Sequence, residues 1–224
     1  MDRDEIIRVL RAFEDEGLGY VLIGATAMGF HGVIRATEDV DLFIRATPAN
    51  VERLRSALRA AYSGDPHIEE ISTADLLGEY PAIRYYPPSG DLYFDVLTRL
   101  GEAARFETVD REVKEIEGIR VSVATRAALY RLSKDTVRAK DRQDAAALRE
   151  RFNRRTETDV GVQKFRSIEE MNRAPALTRA GADFEQFLRH CARYRAIAPK
   201  TYPRGVFKFR NLRDAQQARD RLTP

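Results

Sequence analysis

Two aspartates one residue apart, Asp39 and Asp41, open the apolar run "DVDLFI". At positions i and i+2 of a strand both side chains point to the same face. Like charges that close resist ionisation together unless a cation lies between them. A third carboxylate, Asp95, stands inside another apolar run, "LYFDVL", where a lone charge is costly to bury. Ahead of the pair, Gly24, Ala25 and Thr26 open a short helical segment, "ATAMGFHG", whose unpaired N–H groups could receive a phosphate. Three carboxylates on adjacent strands beside such a turn fit a two-magnesium site for phosphoryl or nucleotidyl transfer. Asp39, Asp41 and Asp95 would then be the metal ligands. One ion would organise a nucleoside triphosphate and the other would activate an attacking hydroxyl, with Asp95 as ligand or base. Arg35 and Thr37 flank the site and are candidates for phosphate contact. His31, beside Gly32, reads as a helix-end residue rather than a base.

The elements that must position these residues are legible from periodicity and punctuation. Residues 4 to 16 place Ile6, Ile7, Leu10 and Phe13 at helical spacing, and Gly17 and Gly19 end that helix. "YVLIG" reads as a short buried strand and "DVDLFI" as the second. Thr47 caps an amphipathic helix that has Pro48 at its first position. "AIRYYPP" and "DLYFDVLT", separated by Pro, Ser and Gly, read as a hairpin. "VDREVKEIEGIRVSVAT" reads as another, turning at Glu117-Gly118, and two helices follow, "RAALYRLSKDTV" and "KDRQDAAALRERF". Strands and helices therefore alternate around a mixed sheet, an α/β or α+β arrangement.

After about residue 153 the character changes. "GVQKFRSIEEMNRA" (161 to 174) recurs loosely as "GVFKFRNLRDAQQA" (205 to 218), each an extended basic-aromatic segment leading into a capped helix. The helix "DFEQFLRHCARYRAI" lies between them. Of 38 basic and 35 acidic residues, 14 and 8 lie from Glu157 onward, so the tail carries +6 and the body before it −3. A basic tail beside an acidic body is either a nucleic-acid arm or a segment that docks on the body. The organisation expected is thus a catalytic body over 1–153, a linker over 154–160 and a small, mostly helical module over 161–224.

At 224 residues, 43% hydrophobic and 33% charged, the composition is that of a globular protein. No apolar run is long enough to span a bilayer, and the charged N-terminus is unlike a leader, so the chain reads as cytoplasmic with no membrane partner. The single Cys191 excludes an internal disulfide, and three scattered histidines do not make a zinc ligand set.

A Gly-led turn, then Asp-x-Asp, then a later strand Asp resembles the signature of the nucleotidyltransferase superfamily, with its polymerase-β-like fold. "GATA", "HGVIRATEDVDLFI", "FDVLT" and "LYRLSKDTVRAKDRQDAAAL", in that order, are similar to the AbiEii-type toxin nucleotidyltransferases. Ala25 departs from the Gly or Ser usual at the second turn position and lacks a hydroxyl for phosphate. The resemblance implies a mixed sheet flanked by helices and Mg2+-dependent transfer of a nucleoside monophosphate from a nucleoside triphosphate to an acceptor hydroxyl. RNA is the favoured acceptor class, tRNA 3′ ends included. It further implies that Lys134 and Arg138 neutralise the triphosphate. The tail resembles, more loosely, the small companion proteins encoded beside such enzymes. It would then act as an inhibitor in cis, an antitoxin-like module taking the place of a separate cognate antitoxin. The alternatives are a catalytically silent binding module and a transferase acting on small molecules, as antibiotic-modifying enzymes do.

Overall fold

The computed structural model describes residues 1–99, 104–134 and 182–222. The first segment, helix α1 (Arg3–Asp15), starts where the Asp2 carboxylate accepts the Glu5 N–H at 2.8 Å, and buries Ile6, Leu10 and Phe13 on one face. Gly17, at φ +61°, turns the chain into strand β1 (Tyr20–Ile23). Helix α2 (Gly24–Phe30) follows at once, and the chain turns away from it at Gly32, whose φ is +75°. Strand β2 (Asp39–Ile44) and helix α3 (Pro48–Ala61) come next, with the Thr47 hydroxyl accepting from the Asn50 N–H. The polar stretch after α3 holds a single 3-10 turn (Pro66–Glu70) and a short helix α4 (Thr73–Leu77).

Both hairpins expected from sequence are present. Strands β3 (Ala82–Tyr86) and β4 (Tyr93–Leu97) pair antiparallel, as do β5 (Arg111–Ile116) and β6 (Ile119–Ala124). Glu117 and Gly118 connect the latter pair with φ of 50° and 75°, the left-handed geometry that a two-residue hairpin turn demands. Helix α5 (Arg126–Lys134) follows β6. The tail contributes helix α6 (Ala182–Ile197), strand β7 (Gly205–Phe209) and helix α7 (Leu212–Leu222).

The result is an α+β architecture built on a seven-stranded mixed sheet of order β5-β6-β1-β2-β4-β3-β7. At its centre, β2 runs antiparallel to β1 and parallel to β4. Phe94 of β4 meets Phe13 of α1 and Tyr62 at the end of α3, so α1 and α3 cover that face of the sheet. Strand alternation then sends Tyr93 and Asp95 to the other face. The second copy of the tail repeat, read from sequence as a basic-aromatic segment, is the seventh strand, pairing antiparallel with the β3 edge from Ala82↔Phe209 to Tyr86↔Gly205. The first copy, residues 161–174, lies outside the described residues. Among the described residues, no helix is long and apolar enough to cross a membrane.

Helix α6 packs on α2. Phe184 stacks on Phe30 with ring centroids 3.7 Å apart, and the Phe187 ring lies where a Cβ on Gly29 would fall, 2.5 Å from it. Gly29 is therefore a close-approach glycine, set by a side chain from more than 150 residues away in sequence. Each such fully buried aromatic contributes roughly 1.5–3 kcal/mol of apolar burial.

Candidate functional site

Asp39 is the first residue of β2, and the α2 turn fixes it there: the buried Thr26 hydroxyl donates to the Asp39 carbonyl at 3.0 Å. Asp41 follows on the same face, opposite Ile23 of β1. In the parallel β2–β4 pair Asp41 is level with Asp95. Adjacent strands are about 4.8 Å apart, which makes the two carboxylates neighbours. One oxygen from each of Asp39, Asp41 and Asp95 lies within 4.8 Å of the other two. Gly24 completes the packing around them. Its φ is +64°, and a Cβ at that position would stand 1.9 Å from the Asp41 Oδ2. The turn can pass this carboxylate only as glycine.

Burial raises the Asp41 carboxyl well above its ordinary range, and the charges of Asp39 and Asp95 push it further. Arg219 and Arg35 oppose that rise. Burial also raises Asp95, against the pull of Arg84. Arg84, on β3 directly opposite Asp95, donates from Nε to Oδ1 at 2.6 Å and from Nη2 to Oδ2 at 2.8 Å. This two-pronged pair is almost wholly buried, under the rings of Tyr93 and of Phe209 from β7.

Asp39 has partners on both oxygens. The Thr37 hydroxyl donates to Oδ1, and Arg219 of α7 donates from Nη1 to Oδ2 at 2.5 Å. Burial works against the Arg219 charge, but Asp39, Asp41 and Asp95 together hold its pKa above the ordinary arginine value. Beside the cluster, Glu38 accepts from the Tyr202 hydroxyl and faces Arg195 of α6, which also reaches Asp91 at 3.0 Å. Tyr202 stacks on Tyr86, with centroids 5.1 Å apart, and leans on Tyr93.

The donor set fits a hard divalent cation, since all three ligands are carboxylates. An ion with oxygens at about 2.1 Å spans ligands up to about 4.2 Å apart, so a slight closure of the cluster would suffice. Asp39, Asp41 and Asp95 would hold it, and an ion there would offset the mutual repulsion that raises Asp41.

The remaining candidates from sequence are distributed as follows. Gly24, Ala25 and Thr26 open α2 beside Asp41 and Asp39, with Ala25 and Thr26 fully buried. Thr37 touches Asp39, and Arg35 is near enough to act on Asp41. His31 is 1% exposed, with Nε2 at 2.8 Å from the Ala124 carbonyl, a structural contact at the end of α2. Lys134 is the last residue of α5; its side chain, Arg138 and the helix read over "KDRQDAAALRERF" lie outside the described residues.

Sequence reasoning did not single out Arg84, Arg219 or Tyr202. Arg84 carried a signal: it is a lone charge in an apolar strand whose hairpin partner, β4, holds a lone opposite charge. Arg219 and Tyr202 carried none, because neither differs in local pattern from other basic and aromatic residues of the tail. Scans of the chain against protein-family models, curated proteins and solved structures each returned no match.

Proposed function

We propose that this protein is a metal-dependent nucleotidyltransferase with a polymerase-β-like catalytic body, moving a nucleoside monophosphate from a nucleoside triphosphate to an acceptor hydroxyl, with RNA as the favoured acceptor. The observation that carries this reading is the convergence of Asp39, Asp41 and Asp95 from two parallel strands onto one point beside the Gly24 turn. Magnesium ions held there would neutralise the triphosphate and lower the pKa of the attacking hydroxyl. The hydroxyl oxygen bonds to the α-phosphorus, the bond from that phosphorus to the bridging oxygen breaks, and pyrophosphate departs with the electron pair. The hydroxyl proton passes to a carboxylate of the cluster. Arg84 holds Asp95 in a fixed orientation while leaving about two of its four lone-pair sites for a ligand.

Incubation of the full chain with labelled nucleoside triphosphates and total RNA, with and without magnesium, tests the reading. Magnesium-dependent label in RNA that disappears in Asp41→Asn supports it. Label on small hydroxylated acceptors, with none on RNA, would move the substrate class to small molecules. The contact between Arg219 and Asp39 favours a second reading, a catalytically silent module whose acidic pocket its own tail keeps closed. Absence of transfer to any acceptor, in the intact chain and in Arg219→Gln, would select it.

A further inference from the structure

We propose that the β7–α7 segment is a displaceable plug, in which the Arg219 guanidinium occupies the cation position of the carboxylate cluster and competes with a divalent metal ion for Asp39. The inference rests on the reading of Asp39, Asp41 and Asp95 as metal ligands, and it assigns the regulation of that site to the chain itself.

Three observations carry it. The first is position: Arg219 lies 2.5 Å from Asp39 Oδ2, and its charge also acts on Asp41 and Asp95. One guanidinium thus compensates part of the charge that a metal ion would otherwise compensate. A divalent ion bound to the same oxygens would repel it, so both cannot be seated at full occupancy.

The second is access. Asp39 is 5% exposed and Asp95 7%, while Asp41 is half-buried; Tyr202, just ahead of β7, stacks over Tyr86 and Tyr93 beside them. Asp39, whose Oδ2 Arg219 holds, is therefore open to an ion and a triphosphate only when that contact is released.

The third is the nature of the fastening. Among the described residues, β7 is held at the sheet edge by backbone pairing to β3, by Val206 and Phe209 packed against the core, and by the surface pairs Lys208–Asp75, at 2.6 Å, and Arg210–Glu79, at 2.8 Å. Solvent-accessible pairs of this kind are worth about 0–1 kcal/mol each. Among the described side chains of α7, Ala215 alone is buried. α6 is different, anchored through Phe184, Phe187 and Leu188 in the main core. The fold therefore offers an anchor in the main core, α6, followed by an arm at the sheet edge that ends on the cluster. A protein whose binding-competent state is a minor one binds its ligand more weakly in proportion to that population.

The test uses the full-length chain and Mn2+ alone, with affinity followed by the electron paramagnetic resonance signal of free Mn2+. Arg219→Gln is expected to bind Mn2+ about tenfold more tightly than the parent, and Asp39→Asn/Arg219→Gln to lose that gain. In the parent, saturating Mn2+ is expected to speed amide hydrogen exchange across 205–222 while leaving α6 unchanged, a readout that needs no variant. Equal affinities in parent and Arg219→Gln, with unchanged exchange in 205–222, would overturn the plug and leave the metal site standing. Absence of Mn2+ binding in both proteins would overturn the metal reading and the plug with it.

Discussion

Arg84 and Asp95 face each other directly across the antiparallel β3–β4 pair, joined by two hydrogen bonds of 2.6 and 2.8 Å and shut away from solvent. The register of one hairpin thereby decides the state of one member of the carboxylate cluster. Without the guanidinium, Asp95 would be a buried charge beside two others.

Removing Arg84 alone should therefore be severe. Arg84→Met leaves the Asp95 carboxylate buried without its counter-charge and is expected to cost about 3–5 kcal/mol. Arg84→Met/Asp95→Leu replaces both charges with apolar groups and should recover most of the loss. Urea unfolding of the two single variants and the double measures the coupling. A double variant no more stable than Arg84→Met would mean that the pair contributes nothing as a pair.

Asp39 and Asp41 should respond in opposite directions to the same substitution. Asp41 is raised by burial and by its two like-charged neighbours, so Asp41→Asn relieves repulsion and should stabilise by about 1 kcal/mol. Asp39 accepts from Thr37 and Arg219, so Asp39→Asn weakens charge-assisted bonds and should cost about 1–2 kcal/mol. Both substitutions should remove magnesium-dependent transfer. Thermal melts alongside the transfer assay check this pair of signs.

Local pattern announced what depends on local physics. Thr47-Pro48, Glu117-Gly118 and the apolar spacing of α1 each specify their element within a few residues, and the structure has all three. Asp39, Asp41 and Asp95 were conspicuous because charge in an apolar strand requires a reason. What sequence could not give is the side-chain partner brought in by long-range docking. Arg219 reaches Asp39 across 180 residues, and Phe187 fills the space over Gly29 across 158. Neither pairing leaves any periodic trace. The β7 segment was visible as basic and aromatic, but the open edge of β3 that receives it exists only once the sheet has formed.

Gly24 should tolerate no side chain. Gly24→Ala places a Cβ 1.9 Å from the Asp41 Oδ2 and keeps a non-glycine residue at φ +64°. The left-handed conformation alone costs about 1–2 kcal/mol, and the clash adds to it, so a total loss above about 2 kcal/mol is expected. Gly24→Ala/Asp41→Gly removes the obstructing carboxylate and should return the clash portion while leaving the conformational portion. A chemical-denaturation series of the three variants separates the two costs, and equal stability of Gly24→Ala and the parent would refute the close approach.

His31 should make the fold acid-sensitive. Burial holds its pKa below the ordinary value of 6.5, and its Nε2 proton is committed to the Ala124 carbonyl, while Nδ1 faces Glu112 at 3.6 Å with Lys114 and Arg126 nearby. In the unfolded chain His31 takes up a proton near its ordinary value, whereas in the folded chain it does so only at lower pH. The unfolded state therefore binds more protons in the window between the two values, and stability falls as pH drops through it. Above the ordinary value both states are neutral at His31 and no dependence arises from it. The expected contribution is a loss of about 1 kcal/mol for each pH unit inside the window. Urea midpoints of the parent and of His31→Gln, compared from pH 7.5 down to 5.5, should diverge in slope, with the variant the flatter of the two. Parallel slopes would show that the imidazole is protonated in the folded protein as readily as in the unfolded chain.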